Sequence, residues 1–208
     1  IQLTIDLEYQ SILEEELKKR QEETSSSSAT GIIMDPETGE VLAMATTPGF
    51  DNNHFGSARP EFHRIRSITD QFEPGSTFKV VSTVSALYDG LISLNDEFNC
   101  ENGSFEYHTK KITDHESYSM LSASQIIHHS SNIGIIKIMD QVGQQKLFSM
   151  SRDFGFGSKT GINLNGEVSG KLNHYNDWSA VSLGMIAMGH EVGVTAIQLA
   201  SAYCAIAN

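Results

Sequence analysis

The sequence is short of positive charge, holds only two cysteines and contains no long apolar run. Lys and Arg number 14 against 26 Asp and Glu, which gives a formal net charge of −12. Because nucleic-acid binding depends on clustered Lys and Arg that release counterions, this balance argues against a nucleic-acid partner. No apolar stretch approaches the roughly 20 residues that a membrane-spanning helix needs.

The cysteines and histidines predict no framework of disulfides and no metal site. Cys100 and Cys204 are too few for a disulfide scaffold, and they leave the redox compartment open. His128 and His129 are adjacent, and neighbouring residues of a helix do not face the same way. The other histidines show no ligand spacing. We therefore expect neither a metal nor a cofactor.

The length predicts one substantial domain over residues 1–208. Hydrophobic residues make up 39% of the chain, and its 17 glycines bring the apolar share near the globular norm, so a real core is expected. The sequence starts without Met or a signal peptide and stops inside an apolar periodic segment. We therefore expect a piece of a longer protein.

Periodicity predicts several helices and one hairpin. A first helix follows the N-cap candidate Asp6 and closes on the basic run 18–20. Apolar runs at 31–34 and 41–45 flank turn residues and predict a hairpin, and 47–66 reads as an irregular loop. Further helices are expected at three places, namely 76–90, 122–141 and from about Thr195 onward.

Ser76 and Lys79 form the first chemical candidate. Pro74 and Gly75 end the preceding loop, so Ser76 falls in the first turn of an apolar helix and Lys79 lies one turn later on the same face. A serine becomes nucleophilic when a neighbouring base takes its proton, and burial lowers the pKa of a lysine toward that role. The plainer reading makes Ser76 an N-cap and lets Lys79 reach solvent.

A polar triplet at residues 130–132 interrupts the apolar pattern of the next helix. Ser130 could relay a proton between Lys79 and a leaving amine, and the Asn132 amide could bind a peptide carbonyl. The plainer reading is that the two serine hydroxyls bond back to carbonyls of their own helix.

These motifs and several longer strings resemble the class B penicillin-binding proteins. S-x-x-K together with S-D-N and K-T-G is a known signature of penicillin-binding proteins and β-lactamases, and the triplet of this chain reads Ser130-Ser131-Asn132. The resemblance runs in the family's order over nearly the whole chain. Its strings occupy residues 5–6, 31–44, 72–79, 130–134, 154–157, 160–162, 166–167 and 194–208. Glu73 ahead of Pro74 favours the division-type members over the elongation type.

The resemblance implies an α+β fold of the β-lactamase/transpeptidase type, with a mainly antiparallel sheet packed by helices. It also implies a serine D,D-transpeptidase. Ser76 would be acylated by a peptidoglycan stem peptide, Lys79 would be the base, Ser130 the proton relay and Asn132 a substrate-binding residue. β-Lactams would acylate the same serine.

The resemblance implies partners and a location as well. Stem peptides and β-lactam antibiotics would be the ligands, and division or elongation proteins would meet the parent protein. The parent would be anchored in the bacterial membrane by a segment upstream of this chain, with the domain on the extracytoplasmic side.

A Lys-Thr-Gly string at residues 159–161 matches a third family motif, but we interpret it as a decoy. The catalytic string belongs on a strand, whereas this one follows a glycine-rich stretch typical of a loop. In the family the catalytic string comes after the position of Asn208. The resemblance therefore predicts that the C-terminal strands are missing here. Because loss of an oxyanion donor costs about 10²–10³ in rate, we expect weak or no transpeptidation from these residues alone.

Other functions remain open at this point. A β-lactamase, a β-lactam sensor or a D,D-carboxypeptidase shares the fold and the first motif. A binding module of the division machinery, without catalysis, would keep the fold and give no covalent penicillin adduct.

Overall fold

The computed structural model describes residues 2–208, and their contacts divide them into two compact units. The first comprises the residues up to Gln71 together with Ser158–Gly170 and Val194–Asn208. The second comprises Phe72–Gly157 and Lys171–Gly193. Each unit is thus built from segments far apart in the sequence, and a single domain over residues 1–208 stays a prediction.

The first unit opens with helix α1, Leu7–Thr24. The Asp6 carboxylate caps it by accepting hydrogen bonds from two backbone N–H groups at 2.9 and 3.1 Å, as the sequence predicts. The prediction that the helix closes on residues 18–20 is wrong. Gln21 donates to the carbonyl of Ser26 at 3.1 Å. The helix ends one turn later at Ser25, which takes the left-handed conformation with a φ of 51°.

The predicted hairpin is present as strands β1, Ala29–Met34, and β2, Val41–Thr47. They pair antiparallel with a bulge between Ile33 and Met34. A Cβ at Gly31 would meet Leu13 Cδ1 at 2.8 Å, so glycine allows α1 to lie close on β1. The chain from Pro48 to Ile65 is irregular apart from two short 3-10 turns, and α2, Arg66–Thr69, follows.

Helix α8, Ala196–Ala207, completes the first unit and packs against β1. Thr195 and Gln198 form a capping box at its start, which confirms the helix predicted there. Gln198 is buried and donates to the carbonyls of Ser158 and Ser169 at 2.6 and 2.8 Å. The loop between those two serines is therefore held to the beginning of α8.

The second unit is built around helix α5, Asn132–Val142. Five of its apolar side chains are completely buried, namely Ile133, Ile135, Ile136, Ile138 and Met139. Four further helices of this unit pack against it: α3, Lys79–Leu87; α4, Ala123–His128; α6, Gln144–Asp153; and α7, Ser182–Ala187. Much of α3 is buried too, as its apolar sequence predicts.

Two small antiparallel sheets also belong to the second unit. Strand β3, Glu97–Asn99, pairs with β6, Met120–Ser122. Strand β4, Ser104–Tyr107, pairs with β5, Lys110–Thr113. Every sheet in the described part of the chain is two-stranded and antiparallel. The prediction of an α+β fold with helices and antiparallel strands is confirmed.

One predicted element is wrong in form. The helix expected over residues 122–141 is two helices, α4 and α5, because Ser130 takes a left-handed backbone conformation, with a φ of 54°, that no α-helix can continue through. Ser131 then restarts the chain as the N-cap of α5, where it accepts a hydrogen bond from Gly134 N at 2.8 Å. None of the helices in residues 2–208 has the length and hydropathy to cross a membrane.

Candidate active site

Ser76 lies in a 3-10 turn, Gly75–Phe78, that leads directly into α3. Gly75 takes a positive φ of 57°, and its N–H donates to the carbonyl of Gly189 at 3.1 Å. Ser76 itself is exposed. Its hydroxyl has no hydrogen-bond partner among residues 2–208, so it is free to meet a ligand.

Lys79 lies one turn beyond Ser76 and is almost completely buried, with 2% of its surface exposed. Its Nζ donates to the carbonyl of Ser130 at 2.5 Å, to Ser130 Oγ at 3.1 Å and to Asn132 Oδ1 at 2.7 Å. Burial lowers the pKa of Lys79 to about 8, against the opposing effect of the Asp114 charge, which raises it. An amine with that pKa can exchange a proton near neutral pH.

Ser130 presents two oxygens to Lys79 because of its backbone conformation. The left-handed φ of 54° ends α4 and directs both the carbonyl and the hydroxyl of Ser130 at the same amine. Ser131 bonds to Asp114 and to Gly134 N. The plainer interpretation, in which these hydroxyls bond to carbonyls of their own helix, is wrong because the chain leaves the helix here.

Asn132 is the first residue of α5, and its amide is held at both ends. Oδ1 accepts from Lys79, and Nδ2 donates to the carbonyl of Thr113 at 3.0 Å. An amide nitrogen carries two N–H groups, so one of them is still available to an outside acceptor. The structure thus brings Lys79, Ser130 and Asn132 together, with Ser76 one helical turn away.

Asp114 is a member of this cluster that the sequence did not reveal. Its carboxylate accepts three hydrogen bonds, from Ser131 Oγ, Asn132 N and Ile133 N, at 2.6, 2.6 and 3.1 Å. The residue follows β5 in an otherwise polar stretch, and no spacing relates it to residues 130–132. The β4–β5 hairpin brings Asp114 to the beginning of α5.

A second group that the sequence missed holds the chain just before Ser76. The Glu73 carboxylate accepts from His190 Nδ1 and from Glu191 N, both at 2.9 Å. The His190 contact, more than any other, lowers the pKa of Glu73 below its ordinary value. A Cβ at Gly189 would collide with the backbone of Gly75, so the chain around 189–191 lies directly on the turn that carries Ser76.

The Lys-Thr-Gly string at 159–161 lies in a loop of the first unit and not on a strand, as predicted. Buried Glu167 accepts from Thr160 N and Thr160 Oγ1 at 2.6 Å each, and from Gly161 N at 3.2 Å. Thr160 and Gly161 of this string are thus hydrogen-bonded to a buried carboxylate. Across residues 2–208, no three His, Cys, Asp or Glu side chains group as metal ligands would.

Comparison with known proteins decides the family. The model of the penicillin-binding protein transpeptidase domain matches residues 29–208. The chain belongs to this family. It is 31% identical over its full length to a probable peptidoglycan D,D-transpeptidase, PbpC, of Pseudomonas aeruginosa. It is 32% identical over its full length to the peptidoglycan D,D-transpeptidase FtsI of Escherichia coli.

Solved structures of the family agree with the fold. The transpeptidase domain of penicillin-binding protein 3 from Burkholderia pseudomallei matches 99% of this chain with a TM-score of 0.89 and 29% identity, over 57% of that chain. A peptidoglycan glycosyltransferase structure from Burkholderia ambifaria gives a TM-score of 0.90 and 30% identity, over 61% of that chain. Our chain spans 37% of PbpC and 35% of FtsI, so it corresponds to about a third of such proteins.

Proposed function

We propose that this chain is part of a serine D,D-transpeptidase that cross-links peptidoglycan stem peptides through an acyl-enzyme on Ser76. The observation that carries the proposal is the buried Lys79 amine, tied to Ser130 and Asn132 one turn from an unpartnered, exposed Ser76 hydroxyl. Membership of the transpeptidase family supports the reaction class.

Acylation starts at the Ser76 hydroxyl. In the minor, neutral form of Lys79 the amine has a lone pair and can accept the hydroxyl proton. Ser76 Oγ then attacks the carbonyl carbon of the penultimate D-alanine. The peptide C–N bond breaks, and the terminal D-alanine leaves as an amine that takes up a proton. Ser130, bonded to Lys79, is the group through which that proton passes.

Deacylation repeats these steps in reverse with another amine. An amino group of a neighbouring stem peptide attacks the carbonyl carbon of the Ser76 ester and loses a proton to the Lys79–Ser130 pair. The ester C–O bond breaks, and Lys79 returns the proton to Ser76 Oγ. The free N–H of Asn132 Nδ2 binds a carbonyl of the acyl chain during both steps. A β-lactam acylates Ser76 in the same way, but its ring opens without releasing a fragment that could make room for the acceptor.

The substrate fixes where the parent protein works. Peptidoglycan lies outside the cytoplasmic membrane, so we place the domain on the extracytoplasmic face, with a membrane anchor upstream of this chain. Glu73 before Pro74 favours a division role, and partners among the division or elongation proteins would then act through the whole protein.

The intact mass after incubation with benzylpenicillin tests the proposal. We expect an increase of one drug mass in the wild type, none in Ser76→Ala, and the full increase in Ser104→Ala, which alters an exposed strand serine. A folded protein without an adduct, both in this chain and in one extended beyond Asn208, would overturn the acyl-enzyme. Rapid hydrolysis of nitrocefin would instead identify a β-lactamase, and product released only to water in the presence of an acceptor amine would identify a carboxypeptidase.

A further inference from the structure

The Asp114 carboxylate binds three consecutive residues at the beginning of α5. Oδ1 accepts from the backbone N–H groups of Asn132 and Ile133 at 2.6 and 3.1 Å, and Oδ2 accepts from the Ser131 hydroxyl at 2.6 Å. The first two N–H groups of a helix have no partner within it. A carboxylate in that place satisfies them and interacts favourably with the helix dipole.

Asp114 is itself fixed by the β4–β5 hairpin. Its N–H donates to the carbonyl of Gly103 at 3.1 Å, and the preceding residue, Thr113, accepts from Asn132 Nδ2 at 3.0 Å. The end of the hairpin therefore holds the polar turn at residues 130–132 through the side chain of Asp114 and the carbonyl of Thr113.

The same turn supplies all three acceptors of the Lys79 amine. A shift of the turn would move Ser130 and Asn132 away from Nζ, and small displacements in a catalytic group cost large factors in rate. We infer that Asp114 is a positioning residue for the acylation of Ser76, and that it acts by fixing the turn that holds Lys79. This inference rests on the proposed function.

Asp114 also acts on Lys79 through its charge, and this second effect can be separated from the first. Its negative charge favours the protonated amine and opposes the effect of burial on the pKa of Lys79. The helices packed against α3 carry other charged or titratable groups, namely His128, Lys137, Asp140, Lys146, Arg152 and Asp153. Lys137 pairs with Glu101 at 3.0 Å, and Lys146 pairs with Asp89. Within the described residues, Asp114 is the charge that shifts the pKa of Lys79.

Asp114→Asn therefore has two opposite consequences. The amide keeps one acceptor oxygen and loses the other, so the turn loosens and the maximal acylation rate falls, by roughly tenfold or more. Loss of the charge lowers the pKa of Lys79 further, so the midpoint of the pH–rate profile moves to lower pH by about half a unit to one unit. A role in folding alone would lower the fraction of molecules that can be labelled and leave the rate constant of the labelled fraction unchanged, whereas the midpoint reports the lost charge in either case.

The experiment measures the acylation rate by a fluorescent penicillin from pH 6 to 9.5 in the wild type, Asp114→Asn and Asp96→Asn. Asp96 is a matched control, because it also accepts from a backbone N–H and a serine hydroxyl, both of Ser93, at 2.9 and 2.8 Å. We expect Asp96→Asn to reproduce the wild-type rate and midpoint.

The outcomes separate this inference from the proposed function. A wild type that is not labelled, both as this chain and as one extended beyond Asn208, contradicts the acyl-enzyme itself. A labelled wild type with an Asp114→Asn variant of unchanged maximal rate, whatever its midpoint, overturns the inference alone. If Asp114→Asn does not fold, Asp114→Glu takes its place: it keeps the charge and moves the carboxylate by one methylene group away from its three donors. A lower rate at an unchanged midpoint then supports the inference, and an unchanged rate overturns it.

Discussion

Lys79 is the residue whose chemistry depends most on its surroundings. An ordinary lysine has a pKa of about 10.4, so fewer than about one in a thousand is neutral at pH 7. With the pKa of Lys79 lowered by burial to about 8, roughly one amine in ten is neutral at that pH. At pH 7 the main form of Lys79 is thus the ammonium, with all three of its N–H groups hydrogen-bonded, and the neutral amine is a minor but accessible form.

The first prediction concerns the pH dependence of acylation. The pKa of Lys79 is lowered in the folded protein, so the neutral amine becomes more abundant as the pH rises toward that value. We expect the rate of penicillin labelling to rise about tenfold per pH unit well below pH 8 and to level off above it. Labelling reactions quenched at timed intervals between pH 6 and 9.5 measure this profile, and a flat profile would contradict the role of Lys79.

Two variants serve as controls for that profile. Lys79→Arg keeps a positive charge that does not titrate in this range, so labelling should fall by at least about 10²-fold at every pH. Lys137→Arg makes the same change at a lysine paired with Glu101 and should leave the profile unaltered.

Among the structural elements, α4 and α5 lie unusually close to each other. A Cβ at Gly134 would overlap the side chain of Ile126, which is completely buried. Alanine is favoured over glycine within a helix by up to about 1 kcal/mol. If there were room for a methyl group at this position, Gly134→Ala would therefore stabilise the protein. At Gly134 the clash of the new methyl group with Ile126 outweighs that gain in helix propensity.

We predict that Gly134→Ala lowers the free energy of unfolding by about 1–3 kcal/mol, as measured by urea denaturation. The double variant with Ile126→Ala provides the control. The cavity left by Ile126→Ala alone costs about 2–5 kcal/mol, and the new alanine methyl group should recover part of that loss. Additive effects of the two changes would show that the helices are not in contact at this point.

The loop carrying Lys159-Thr160-Gly161 gives a third prediction. Since its Thr160 and Gly161 are bound to buried Glu167, the string has a structural role. Lys159→Ala should leave penicillin labelling within about twofold of the wild type, because exposed surface substitutions have small effects. Glu167→Gln should lower the free energy of unfolding by roughly 1–3 kcal/mol through lost charge-assisted hydrogen bonds. Strong loss of labelling in Lys159→Ala would instead make this string part of the active site.

Across the whole molecule, local sequence patterns predicted the helices and the hairpin. The arrangement of the candidate active site depends instead on hydrogen bonds between residues far apart in the sequence. Periodicity and turn chemistry revealed the elements that depend on residues close in sequence. These are the N-cap at Asp6, the hairpin, the buried helix after Ser76 and the helix capped by Thr195. The break at Ser130 could not be predicted, because serine has no preference for positive φ and its conformation is fixed by partners elsewhere.

The long-range partners escaped prediction for the same reason. Asp114 lies 17 residues from Ser131 in sequence, and Glu73 lies 117 residues from His190. Nothing in the composition of either segment indicates a partner at that distance. The polar triplet at residues 130–132 and the family resemblance both indicated Ser130 and Asn132, whereas hydrogen-bond geometry was needed to find Asp114, which holds them.

The fourth prediction follows from the charge of the whole chain. A formal net charge of −12 at pH 7 and an isoelectric point near 5.0 mean that repulsion between molecules weakens as the pH falls toward 5. We expect light scattering to show association near pH 5 and dispersed protein at pH 7.5. The same degree of association at both values would contradict this. Labelling experiments therefore belong above pH 6.

The left-handed backbone at Ser130 has a consequence for how this position evolves. Glycine or asparagine would relieve the strain and stabilise the fold, yet neither brings a hydroxyl to Lys79. Selection for stability and selection for catalysis thus favour different amino acids at one position. In a randomised library at residue 130, survivors of heat treatment should be enriched in glycine and asparagine, whereas survivors of a penicillin-binding screen should retain serine.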